Sequence, residues 1–274
     1  MRRRRGAGAP LRALLVIALA GAAGCASQSG QLKTDTYLAR KKLARELIAR
    51  GDWAPAFAYA DGLHREQPGD AEALLLRGVV YRERGLFAEA EADLSESTRL
   101  DDGSAEGHAA LGILYDVTLR PEPAEAEHRQ AVKLAPGNPG YLNNLGFSLF
   151  LRGKTQDAIG YYRQAARLDP TSRRVRTNLG FAYAAAGDLR SAAREFEMGG
   201  TAAEARTNLG FAYERRGDMT RAYDLYLEAA RLDPRSERAR SNLVHAAGVL
   251  GRPVPDDLAP PRPPEPAPEK ETKP

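Results

Sequence analysis

Residues 178–183 read Asn178-Leu179-Gly180-Phe181-Ala182-Tyr183, and the same six residues return at 208–213. Outward from this pair the glycine continues as a column: Gly78, Gly112, Gly146 and Gly180 are each 34 residues apart, and Gly210 follows after 30. Leu111, Leu145, Leu179 and Leu209 precede four of these glycines, and Tyr81, Tyr115, Leu149, Tyr183 and Tyr213 come three residues after a glycine. A second column, Ala56, Ala90, Ala124, Ala158, Ala192 and Ala222, keeps the same intervals, and Pro68, Pro136, Pro170 and Pro234 close four of the units. Self-similarity at this period decides the architecture before any local reading, because each unit is one supersecondary element.

Each unit reads as two amphipathic helices joined by a polar turn. In the fourth, segments 141–151 and 155–168 flank Arg152-Gly153-Lys154, and their apolar residues recur at helical spacing. Glycine in the first helix and alanine in the second let the backbones approach, and proline ends the second helix because it lacks an amide hydrogen. Two helices cannot bury such faces alone. Stacked neighbours can, which predicts an all-α solenoid with a continuous core.

These residues resemble the tetratricopeptide repeat (TPR) family: Asn178–Tyr183 with Ala192 and Phe196, then Asn208–Tyr213 with Ala222, Tyr226 and Pro234. The resemblance covers 37–250 and implies a right-handed superhelix. Six units fit, at 37–70, 71–104, 105–138, 139–172, 173–202 and 203–236, with 237–250 as one more first helix serving as a cap. The first unit departs most, with Leu43-Ala44 for Leu-Gly, and the second ends in Asp102 instead of proline. The fifth is four residues short around Gly199-Gly200, about one helical turn, which predicts a kink or hinge there.

The two ends of the chain have different compositions from the array. Residues 1–24 hold an arginine cluster and then a small, apolar run from Ala13 to Gly24, laid out as a secretory signal peptide. That run is shorter than the roughly 20 apolar residues a membrane-spanning helix needs, which disfavours a permanent transmembrane anchor. Ala22-Ala23-Gly24-Cys25 resembles a bacterial lipobox, with Ala22 where Leu is commoner; the alternative is a leftover cysteine in an ordinary leader. The resemblance implies that Cys25, the one cysteine of the chain, carries acyl chains that tether the protein. It also implies sorting to the outer membrane, facing the periplasm, because Ala26 rather than Asp follows. Residues 25–36 then form the lipidated start and a flexible linker. After Gly251, nine of the last 24 residues are Pro, so 251–274 reads as an extended, disordered tail.

Charge supports no nucleic-acid role. Five of the 40 basic residues lie in the first 24, which carry no acid; the remaining 35 face 36 acids, a net charge of −1. Chemistry has no visible foothold either, since phosphate loops and nucleophile or metal-hydrolase motifs are lacking. No cofactor, metal or enzymatic activity is expected. His108 and His128 occupy apolar columns where the repeat usually has aromatics; they could approach across the hairpin, but ring packing explains both more simply.

The functional candidate is a column of amides. Asn144, Asn178, Asn208 and Asn242 recur once per unit, Thr177 and Thr207 precede two of them, and Phe147, Phe181, Phe211 and His245 follow three residues on, along the same helical face. First helices line the concave wall of the TPR fold, so the resemblance implies a peptide-binding groove of Asn144, Phe147, Thr177, Asn178, Phe181, Thr207, Asn208, Phe211 and Asn242. Amides suit a peptide backbone, and rings supply pockets. Equally, each Asn could bond between adjacent helices while each Phe packs below the surface. Lys42, Leu76 and Ala110 hold the position in the first three units, which confines the groove to the C-terminal half. Arg174, Arg176, Arg206 and Arg240 nearby could favour an acidic partner or simply cover apolar surface.

Within the family, Asn143-Asn144-Leu145-Gly146 followed by two Asn-Leu-Gly units and a shortened linker resembles the lipoprotein of tight-adherence (Flp) pilus assembly. This implies a scaffold that grips a secretin or another pilus assembly component. An adaptor for cell-wall hydrolases, proteases or exopolysaccharide export would share the same architecture.

Overall fold

The computed structural model describes residues 36–258. The leader, Cys25, the linker up to residue 35 and the tail from 259 onward lie outside them. The regular elements among the described residues are helices: α1 (36–50), α2 (Trp53–Glu66), α3 (Ala71–Glu83), α4 (Phe87–Leu100), α5 (Ala105–Val117), α6 (Pro121–Leu134), α7 (Pro139–Leu151), α8 (Thr155–Leu168), α9 (Arg173–Ala185), α10 (Leu189–Gly199), α11 (Ala202–Arg215), α12 (Met219–Leu232) and α13 (Glu237–Leu250). They fall into two compact units, one up to Thr118 holding α1–α5 and one from Leu119 holding α6–α13.

The repeat period is written into the turns. Gly51, Gly85, Leu119, Gly153, Gly187, Gly217 and Gly251 follow the same intervals of 34 and 30, and each has a positive φ, between 58° and 90°. This left-handed conformation costs an L-residue about 1–2 kcal/mol and costs glycine almost nothing. Leu119 alone carries a side chain in that conformation, and it is 86% exposed. The helix starts are capped by short polar side chains: Asp70, Ser104, Asn138 and Ser236 accept amide hydrogens of α3, α5, α7 and α13, and Asp188 and Asp218 do so for α10 and α12. Second helices α2, α4, α6, α8 and α12 end on an extended residue with φ between −130° and −138°. Asp101 adopts it without a following proline, so proline marks this stop and is not required for it.

The glycine of each first helix is a notch for a side chain of the second. A Cβ built on Gly146 would lie 2.9 Å from the Tyr162 ring, one on Gly180 2.5 Å from Phe196, one on Gly210 2.7 Å from Tyr226, and one on Gly78 2.8 Å from Leu94. All four knobs are buried. Tyr226 additionally donates its hydroxyl to Glu214 at 2.6 Å, and burial together with that carboxylate raises its pKa. His128 holds this knob position in the third unit and is buried. His108 is half-buried, its Nε2 3.1 Å from the Asp102 carbonyl oxygen. The two histidines belong to separate compact units.

In the first unit, α3 packs on α2, α4 and α5. Its polar contacts centre on acids between the first helices: Tyr37 donates to Asp70 at 2.8 Å, Lys41 pairs with Asp70 and Glu72, and Arg45 bridges Glu72 and Glu106. Burial would raise the Asp70 pKa, but hydrogen bonds from Lys41 and Tyr37 hold it lowered. In the second unit successive helices pack pairwise, and α7, α9, α11 and α13 also touch in series.

The expected irregularity at Gly199-Gly200 takes a definite form. Helix α10 has 11 residues where α8 and α12 have 14, and extended Gly200 leads directly to Thr201, which starts α11. A capping box closes the join: Thr201 accepts from the Glu204 amide while Glu204 accepts from the Thr201 amide at 2.7 Å. Arg173 of α9 clamps it, donating to the Gly199 carbonyl oxygen at 3.1 Å and pairing with Glu204 at 2.5 Å.

The change of composition at Gly251 is not the edge of the packed structure. Val254 and Leu258 pack with Tyr213, Met219, Tyr223 and Leu250, and Leu258 is buried. Tyr223 donates to the Pro253 carbonyl oxygen at 2.9 Å.

Candidate peptide-binding groove

Because α7, α9 and α11 stack in register, the residue three after each Asn repeats along one wall. Phe147, Phe181 and Phe211 line one groove of about 560 Å³, together with Phe150, Tyr162, Asn178, the alanines 184, 185 and 212, and Arg215 and Arg216. Phe147 and Phe211 are each 41% exposed, so they face the opening. Phe181 is half-buried between them, edge-on to Phe196 at 4.9 Å and to Phe211 at 6.0 Å between ring centroids. Such edge-to-face pairs hold rings in fixed orientations. The groove is thus a preformed aromatic surface with two guanidinium groups at its rim.

The amides behave differently from the rings. Asn178 donates its Nδ2 to Asn143 Oδ1 at 2.9 Å, linking α9 to α7. Asn208 is buried and accepts from Arg238, linking α11 to α13. These are bonds between adjacent first helices, one of the two roles the sequence leaves open. Of the column only Asn178 lines the aromatic groove. Asn144 and Asn242 are half-buried and line no groove with the rings, while Thr207 is buried and returns its hydroxyl to the Ala203 carbonyl oxygen at 2.8 Å. Thr177, Asn178 and Asn208 line a polar cleft of about 410 Å³ with Arg173, Arg174, Glu204 and Arg238, so Asn178 borders both the cleft and the aromatic groove. The nine residues expected of one groove therefore divide between an aromatic groove, a polar cleft and the helix seam.

The arginines of the first helices are largely engaged. Arg176 pairs with Glu195 at 2.8 Å and donates to the Pro170 carbonyl oxygen, and Arg206 pairs with Glu197 and Glu228 at 3.2 and 3.0 Å. His245, fourth in the ring column, stands 3.6 Å from Glu214. Asn143, Arg238 and the rim pair Arg215 and Arg216 are the functional neighbours that column reading passes over. Asn143 stands one residue out of the Asn column, and the others fall at a helix start or end, where periodicity carries no signal. Among the described residues no cluster of three or more His, Cys, Asp or Glu could hold a metal ion. No helix of theirs is long and apolar enough to cross a membrane.

Family comparison agrees with this geometry. Tetratricopeptide repeat models match residues 41–105, 139–172 and 205–238. Among solved structures, PilW, described as a widely conserved type IV pilus biogenesis factor, is 19% identical, with a TM-score of 0.65 over 76% of this chain and 98% of its own. PilF of Pseudomonas aeruginosa is 18% identical, with a TM-score of 0.62 over 77% and 98%. YrrB, described as a TPR protein with an unusual peptide-binding site, is 20% identical, with a TM-score of 0.53 over 69% and 97%. No curated protein matches the chain in sequence. At these identities the likeness is one of fold, and with the repeat matches it makes this chain a tetratricopeptide repeat protein that resembles pilus-assembly proteins in architecture.

Proposed function

We propose that the chain is a non-enzymatic scaffold of a pilus assembly system of the Flp or type IV kind, tethered through acylated Cys25 to the outer membrane and facing the periplasm. In this reading its aromatic groove holds a peptide segment of a secretin or another assembly component. The observation that carries it is the row of Phe147, Phe181 and Phe211 on three successive first helices, open to solvent at both ends of the row. Half-exposed rings contribute little to a core, and a preformed apolar groove of this size is what an extended peptide needs. The architectural likeness to PilW and PilF supports the choice of a pilus system over a hydrolase or exopolysaccharide adaptor.

The test is crosslinking in cells with mass spectrometry, comparing the natural chain with Phe147→Ala combined with Phe211→Ala. Loss of the crosslinked partner with an unchanged circular dichroism spectrum is the expected outcome. Undiminished capture would reject the groove. The rings are better probes than the amides, because Asn178 and Asn208 hold helices together and their removal would disturb the wall itself.

A further inference from the structure

A second groove lies on another face of α9, away from the phenylalanines. It has a volume of about 570 Å³ and is lined by α8 and α10, with Leu179 and Tyr183 of α9 beneath. The aromatic groove takes Asn178, Phe181 and Ala185 from the same helix, so the two grooves use different faces of it. Arg163 and Arg167 of α8 and Arg194 of α10 line the second groove and are all exposed. Met198, one turn after Arg194, is 54% exposed.

The chain itself does not neutralise these three guanidinium groups. The carboxylate that lines the groove, Glu195, already pairs with Arg176 at 2.8 Å. Arg163 and Arg167 have no ion-pair partner among the described residues, and Arg194 donates to Ser191 Oγ at 3.0 Å. Asp188 feels the charge of Arg194, but its carboxylate is engaged as the N-cap of α10. The repeat shows what is missing. Thirty-four residues before Arg163 stands Arg129, which pairs with Glu125, whereas the position equivalent to Glu125 holds buried Ile159. Arg163 and Arg167 are four residues apart on α8, as Arg190 and Arg194 are on α10, and like charges at that spacing destabilise a helix. Both helices beside the groove thus carry a repulsion that an anion between them would relieve.

We propose that this groove docks an extended acidic segment of a partner protein, with alternate carboxylates meeting Arg163 and Arg167 and a further one meeting Arg194. Four helical residues place Arg163 and Arg167 about 6 Å apart along α8. Side chains two residues apart on one face of an extended peptide are separated by about 6.6 Å, which matches. Guanidinium forks bind carboxylates through two parallel hydrogen bonds, and arginine and methionine are both enriched where proteins meet. A bilayer surface fits less well, because Leu179 and Tyr183 lie beneath the charges instead of projecting beyond them. The site is separate from the aromatic groove and does not depend on what that groove holds.

The test uses the full chain with Cys25→Ser and a fluorescent peptide of alternating Glu and Ala, with the Gln-Ala peptide as control, and reads fluorescence anisotropy. Binding of the Glu peptide is expected to weaken with added salt and to fall about tenfold when Arg163→Gln, Arg167→Gln and Arg194→Gln are combined. Arg215→Gln with Arg216→Gln, at the rim of the other groove, should leave it unchanged. The triple variant should melt no lower than the natural chain, because it removes like charges from both helices. Absence of binding, equal binding of the Gln peptide, or full affinity in the triple variant overturns the proposal. A lower melting temperature in the triple variant overturns it too, by giving these arginines a structural role. Two further results, obtained without peptide binding, reassign the groove and so overturn it: phosphatidylglycerol vesicle binding that needs the three arginines points to a lipid surface, and self-association that needs them points to a second copy.

Discussion

A glycine in mid-helix normally costs about 1 kcal/mol relative to alanine, so replacing one should stabilise the chain. The column at 78, 146, 180 and 210 reverses that sign, because each position faces a knob from the second helix. Gly180→Ala is expected to destabilise the second unit by about 1–3 kcal/mol, the usual range for overpacking, in urea unfolding followed by circular dichroism. Combining it with Phe196→Leu should recover part of the loss. Glu125 gives a pH prediction. Its carboxylate is buried among Arg129, Arg152 and Lys154. Burial alone would raise its pKa, but hydrogen bonds from Lys154 and Arg129 lower it from 4.5 to about 2. A depressed pKa means that the contribution to stability is present above 4.5 and is lost as the pH falls through about 2. The gap in melting temperature between the natural chain and Glu125→Gln should therefore be widest near neutrality and close towards pH 2; a gap independent of pH would contradict the ion cluster. The glycine column was legible as a period, and so was the need for close approach. Which side chain fills each notch was not, because knob and notch are 16 residues apart on different helices.

At the level of the element, the shortened fifth unit is the feature most specific to this chain. Loss of one turn from α10 leaves the join to α11 without the polar turn found elsewhere, and Thr201, Glu204 and Arg173 replace it with a capping box and an ionic clamp. Removing the cap with Thr201→Ala should cost about 1 kcal/mol and speed amide exchange at the start of α11. Native-state hydrogen exchange that leaves residues 201–205 as protected as in the natural chain would show that the clamp alone suffices. Sequence spacing located this irregularity to within two residues, since a missing turn shifts every later column by four. It did not reveal the clamp, which needs Arg173 of the preceding helix to meet Gly199 and Glu204 in space.

For the whole molecule, the repeat accounts for residues 36–250 and Cys25 carries the proposed anchoring. Cys25→Ser is expected to move the protein from the membrane fraction to the soluble one, measured by fractionation and immunoblotting. Full retention would reject an acyl tether, since no helix of the described residues can take its place in a bilayer. Leu258 joins the buried cluster of Tyr223, although its neighbours in sequence are Pro- and Asp-rich. Composition averages over a segment, whereas one buried leucine is enough to dock it.

The sequence by itself determined the helical hairpins and their number, because both depend on a period carried locally. Only the tertiary structure decided what the Asn and Phe columns do. Both columns have the same spacing, and a spacing cannot distinguish a side chain aimed at the neighbouring helix from one aimed at solvent. Stacking joined Asn178 to Asn143 and Asn208 to Arg238 between adjacent helices and left the rings of Phe147 and Phe211 in the open groove.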